Sequence, residues 1–145
     1  MRKADSTVRR AIHRLGAQHV AGTVQQLNSL RGACLVQGVT AATLIRRNAQ
    51  RTLITETHPK ALLWLLGIAT VHRPAKDVEI GDLAPAIDAG IRAVSEHERD
   101  SVISCIAAAA FHERHAGWYD LAAVEPDIIE VVPGGAAYWI PMIEG

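Results

Sequence analysis

Residues 52–57, TLITET, are the clearest β-strand in a sequence otherwise patterned for helices. Strand alternation puts Ile54 and Glu56 on one face and Leu53 and Thr55 on the other. The segment runs directly into a His-Pro step and the apolar helix KALLWLL, with Pro59 in the first turn and Gly67 as the stop. Along the whole chain the pattern is of alternating helices with few strands. The junction also places a carboxylate, Glu56, where the strand enters the core.

Helical patterns surround this junction. In DSTVRRAIHRLG, Asp5 or Ser6 is the expected cap, Val8, Ile12 and Leu15 recur at helical spacing, and Gly16 ends the run. Arg9, Arg10, His13 and Arg14 occupy the opposite face. Residues 17–32 show weak periodicity and read mostly as loop. ACLVQGVTAATLIRRN is expected as a second helix, with Leu35, Val39, Ala42 and Ile45 or Arg46 along one side. After an irregular connection over residues 68–82, LAPAIDAGIRAV is expected as a further helix. Ser95 followed by Glu98 is a capping box that starts a long helix near Glu96, with Ile103, Ile106, Ala107 and Ala110 as its apolar stripe. Asp100, Ser104 and His97 border that stripe. The tail DIIEVVPGGAAYWIPMI suggests a hairpin around Pro-Gly-Gly.

The chain has 145 residues, 49% of them hydrophobic and 21% charged, which suits one globular domain, residues 1–145. Its longest apolar runs, ALLWLLGIA and CIAAAAF, fall short of the roughly 20 residues a membrane helix needs. The basic N-terminus has no apolar signal region, and Cys34 and Cys105, expected as buried thiols, form no C-x-x-C pair. A cytoplasmic protein with no membrane partner is expected.

The net charge of zero conceals a division. Residues 1–51 carry nine Arg or Lys and one acid; residues 52–145 carry six and fourteen. A basic block of this kind suits a phosphate polymer or an acidic partner. Complementary packing of the two halves explains it equally well.

Two carboxylates stand out, Glu56 at a strand end and Asp100 early in a helix. Half-buried acids are tolerated where a divalent cation offsets their repulsion and desolvation, and Mg²⁺ or Mn²⁺ suits such oxygen ligands. Taken singly, a helix cap or an arginine partner explains Glu56, and dipole stabilisation explains Asp100. His58 is a candidate for proton transfer or a junction cap; His97 is a weaker metal candidate. His112 and His115 suit a solvated helix end. Lys60, Arg31, Arg46, Arg47 and Arg99 are phosphate candidates that otherwise read as surface charges. Trp64, set among leucines, belongs in the core, while Trp118 and Trp139 suit packing or an interface. No Gly-rich phosphate loop, nucleophile elbow or zinc spacing is present.

The segments LNSLRGACLVQG, ITETHPKALLWLLG, SEHERDSVISCIAAAA and AYWIP resemble, in order, blocks of a prokaryotic family of unknown function described as predicted RNase H-like nucleases. The resemblance covers residues from about 27 to the C-terminus. It implies a ribonuclease H-like α/β core and a metal-dependent hydrolase of nucleic-acid phosphodiesters. Glu56 and Asp100 would be acidic metal ligands there, with Ser104 beside them and His58 as a catalytic assistant. Arg9, Arg10, Arg14, Arg31 and Lys60 would hold nucleic acid.

Two departures qualify that implication. An RNase H-like core opens with a three-stranded meander whose first strand supplies an essential aspartate, whereas this chain opens with a helix. Position 104, where related helices often carry a second aspartate, is serine. The expectation is therefore a partial core lacking its first strands, either an N-terminally shortened member or one completed by a partner chain. The alternative function is a non-catalytic binding or assembly module, or a remnant of the family, that pairs through an exposed sheet edge with itself or with a partner strand.

Overall fold

The computed structural model describes residues 3–17, 30–93, 95–126, 132 and 134–143, with side chains described from residue 36 onward in the second segment. Its elements are α1 (Lys3–Arg14), α2 (Leu30–Asn48), α3 (Pro59–Leu65), α4 (Ala84–Asp88), α5 (Glu96–His112), β1 (Trp118–Asp120), α6 (Leu121–Val124) and β2 (Trp139–Pro141). Two short 3₁₀ turns, Ala75–Asp77 and Ile80–Asp82, lie between α3 and α4. The result is a helix-rich α/β protein with a two-stranded antiparallel sheet.

Helix α3 is the centre. It packs against α1 on one side and α5 on the other, and β2 touches both α3 and α5. The periodic apolar residues explain this arrangement. Val8 and Ile12 of α1, Leu62 and Leu63 of α3, and Ile103 and Ala107 of α5 are buried together with Val78, Leu83 and Leu121. Trp64 joins this core, as its leucine neighbours suggest. Leu15 does not. It lies past the last turn of α1 and is exposed, while Gly16, at φ +99°, turns the chain tightly against Val71.

The strand expected over residues 52–57 is reduced to one parallel bridge, Thr55 to Ala137. Glu56 N–H donates to Ala137 O at 2.8 Å, and Ala137 N–H donates to Ile54 O at 3.0 Å. The regular sheet forms elsewhere. Trp118, Tyr119 and Asp120 pair with Pro141, Ile140 and Trp139. Asp120 Oδ1 fixes this corner by accepting from Ala122 N–H at 3.1 Å and Tyr138 N–H at 2.9 Å. The C-terminal segment thus pairs with the residues after α5; residues 127–131, the other arm of the expected hairpin, lie outside the described residues.

Two further expectations are corrected. The helix after Asp82 covers only Ala84–Asp88, because Gly90 at φ +66° ends it before Ile91. Cys105 is exposed, since it points away from the stripe that buries Ile103 and Ala107; the side chain of Cys34 is outside the described set. On α2, Ala42 is buried and Val39 and Arg46 are half-buried, while Ile45 is exposed, so of the two residues expected at the end of the stripe it is Arg46 that continues it. No described helix is long and apolar enough to cross a membrane.

Candidate functional site

The starts of α3 and α5 lie side by side, and an ion pair between Lys60 and Glu96 joins them. His58 caps α3: its backbone is extended and its Nδ1 accepts from Ala61 N–H at 3.4 Å. Acceptance at Nδ1 leaves the proton of the neutral ring on Nε2. The capping reading of this histidine is therefore the one realised. Ser95 and Glu98 form the expected capping box at the start of α5.

Burial lowers the His58 pKa from its ordinary value; its own backbone carbonyl and the carboxylates of Asp5 and Asp100 oppose the shift. Asp5, in the first turn of α1, therefore acts on the same ring as Asp100 of α5. A shallow cleft open to solvent runs between α1 and α3, with Asp5, Val8, Arg9, Ile12, His58 and Tyr138 among its walls. Nothing local in the sequence marked Asp5 as more than a cap. Its place beside His58 follows from the packing of α1 on α3.

A lowered histidine pKa has a defined consequence for stability. The unfolded chain binds the proton more readily than the folded one, so this contribution is complete above pH 6.5 and is lost as pH falls through 6.5 toward the folded value. Asparagine keeps the cap without the titration. Urea unfolding between about pH 8 and about pH 5 should show wild type losing more stability than His58→Asn. Equal losses would contradict the burial of a neutral ring.

Both sequence-selected carboxylates are half-buried. Glu56 stands two residues before the α3 cap, on the segment bridged to Ala137. Asp100 accepts from Arg99 Nη2 at 3.3 Å. Ser104 spends its hydroxyl proton on Asp100 O at 2.9 Å, one turn back along the helix, which leaves its oxygen lone pairs available. Among the described residues no three His, Cys, Asp or Glu side chains form a metal-holding group.

Arg99 departs most from its expected surface role. Only 7% of it is exposed. Its Nη1 donates to Val78 O at 2.9 Å and Lys76 O at 3.2 Å, and its Nη2 lies 3.8 Å from Glu96 Oε1. It ties the 76–78 turn to the start of α5, beside Asp100. Arg46 is likewise structural, donating to Thr52 O, Gly134 O and Gly135 O.

Comparison with family models, curated proteins and solved structures finds no match for this chain.

The cationic candidates divide by position. Arg9 is half-buried at the cleft; Arg10 and Arg14 are exposed on α1. Arg10 Nη2 donates to Thr7 Oγ1 at 2.7 Å, and Thr7 donates to Glu125 at 2.7 and 3.0 Å to its two oxygens. The basic helix and the acidic half therefore do meet at this point. Lys60 is paired with Glu96. Arg31 lies on α2, with its side chain outside the described residues. His97, His112 and His115 are exposed; the His115 ring meets Trp118 edge-on at 6.1 Å. Trp139 packs against Phe111 at 5.6 Å beneath the Arg114 guanidinium, which accounts for it as an anchor.

Proposed function

We propose that this chain is a Mg²⁺- or Mn²⁺-dependent hydrolase of nucleic-acid phosphodiesters, of the RNase H-like kind, with Glu56 and Asp100 as its metal ligands. The observation that carries the reading is the meeting of the α3 and α5 starts, joined by Lys60 and Glu96, with Glu56 leading into one and Asp100 near the head of the other. The donor set fits a hard cation. Mg²⁺ commonly takes one or two carboxylates and keeps several waters, and the Ser104 oxygen is a further neutral donor. When bound, the ion supplies an activated water and stabilises charge on the phosphate.

The chain's own residues supply the remainder. Arg9, Arg10 and Arg14 on α1 bind phosphates through their guanidinium forks, with Lys60 as a further, point-like charge. His58, its Nδ1 committed to the α3 cap, offers an Nε2–H donor at the cleft. Arg99 holds the Asp100 carboxylate in place. A second reading, a non-catalytic binding or assembly module, is favoured by the shortness of the pairing described at Thr55, a single bridge to Ala137.

Labelled single- and double-stranded DNA and RNA distinguish the two. The nuclease reading expects metal-dependent cleavage of at least one, reduced about a hundredfold or more by Glu56→Gln or Asp100→Asn, the scale of losing a group that stabilises transition-state charge. No metal-stimulated cleavage of any of the four, or variants as active as wild type, would contradict it.

A further inference from the structure

Arg114 closes α5 at φ +52°, the left-handed conformation that a helix end normally gives to glycine. It is the one non-glycine residue with such a φ among the described residues. His115 N–H donates to Ala110 O at 2.9 Å and Arg114 N–H to Phe111 O at 3.3 Å, so the helix ends as it would around a glycine. Backbone strain of this kind persists where the surroundings fix the residue, and it gathers at binding sites.

The Arg114 guanidinium carbon lies 4.8 Å from the Phe111 ring centroid and 5.5 Å from that of Trp139. The residue is nevertheless exposed, so one side of the guanidinium covers the rings and the other meets solvent. Beside it the exposed His115 ring stands edge-on to the half-buried Trp118, with centroids 6.1 Å apart. His115 Nδ1 lies 2.8 Å from Ala116 O; a carbonyl only accepts, so Nδ1 carries the proton and Nε2 of the neutral ring is an acceptor. Trp118 N–H donates to His115 O at 3.2 Å and Met142 N–H to Gly117 O at 2.8 Å, which ties the loop down. Planar groups are thus held at the surface before a ligand arrives, and binding them costs little ordering.

We propose that the Arg114–His115–Trp118 surface stacks the bases of single-stranded nucleic acid. Every base has a π-face, and an arginine already seated on aromatic rings offers both a stacking plane and a fork for phosphate. A purely acidic partner fits less well. Residues 112–118 contain one arginine and one acid, Glu113, so planar contact rather than net charge is what this surface presents. Paired bases keep their faces inside a duplex, which makes the single strand the matching form. Position along α5 points the same way. Asp100, Ser104 and Ala108 follow at four-residue intervals, the first two half-buried and the third exposed, and lead toward Phe111. From Asp100 to Phe111 the helix rises about 17 Å, the span of about five stacked nucleotides. The choice of nucleic acid rests on the hydrolase reading of Glu56 and Asp100; it adds the form of the strand and the place where it is gripped.

Binding is measured in EDTA, where no metal-dependent cleavage occurs, by the anisotropy of labelled thymidine and uridine homo-oligomers about twelve nucleotides long. Saturable binding to wild type is expected. Arg114→Gly is the decisive variant: glycine relaxes the backbone, so urea unfolding should show stability kept or raised, while affinity falls about tenfold or more. His115→Ala should also weaken binding, whereas Arg92→Gly, which removes the same charge from another exposed position, should not. The proposal is overturned by a wild type that does not bind, by Arg114→Gly binding as wild type does, by a duplex of equal length bound as tightly, or by polyglutamate competing as well as the oligomer. Cleavage assays keep the two claims apart. Metal-dependent cleavage and binding that Arg114→Gly leaves unchanged would refute this surface and not the metal site. Binding in EDTA without cleavage in Mg²⁺ or Mn²⁺ would refute the hydrolase reading and support this surface.

Discussion

Replacing Arg99 with leucine should destabilise the fold by roughly 2–4 kcal/mol, the scale of losing charge-assisted hydrogen bonds and leaving a buried acceptor without a donor. The guanidinium is almost wholly buried, and its two bonds to Lys76 O and Val78 O join the 76–78 turn to α5 across more than twenty residues of sequence. Leucine keeps much of the apolar stem but removes both donors. It also removes the cation between Glu96 and Asp100. The buried Nε has no partner among the described residues, so its loss recovers some desolvation and keeps the expected cost below the sum of the bonds. Against a total stability of about 5–15 kcal/mol for a typical domain, this is a large fraction. Lysine should recover only part of it, because a single ammonium cannot span both carbonyls as a planar fork does. Urea unfolding of Arg99→Leu, Arg99→Lys and the exposed control Arg92→Leu checks this. A loss for Arg99→Leu no greater than that of Arg92→Leu would show that the turn does not rely on this side chain.

The same residue marks where sequence reasoning reaches its limit. The Ser95–Glu98 capping box and the Pro59 helix start are visible in the sequence because both partners lie within one turn. The buried stripes of α1, α3 and α5 are visible because periodicity records which face is apolar. Arg99 has no such signature. Its burial depends on where the 76–78 turn comes to rest, and no local pattern records that. The strand at residues 52–57 fails for a related reason. β-branched composition marks a segment as able to pair, but the extent of pairing belongs to the partner, and here the partner supplies one bridging residue, Ala137. The C-terminal apolar run does form a strand, and the mate described for it, Trp118–Asp120, lies beyond any local turn signal.

The candidate site was legible in the same uneven way. Glu56, His58 and Asp100 stood out because a carboxylate at a strand end and an acid bordering an apolar stripe are local anomalies. Asp5 did not, since an acid in the first turn of a helix is ordinary. Only the packing of α1 against α3 brings its charge to bear on His58. Arg9 acquires its place at the cleft by the same contact.

The central claim is that Glu56 and Asp100 share a divalent cation, and calorimetric titration with Mn²⁺ and Mg²⁺ tests it most directly. Two hard carboxylate donors should give saturable binding, while the amides of Glu56→Gln with Asp100→Asn preserve size and remove both charges. Circular dichroism and urea unfolding of the double variant establish that its fold persists. The account predicts binding to wild type that disappears in the folded double variant. Wild type that binds neither ion at millimolar concentration, or a double variant that binds as wild type does, would contradict it.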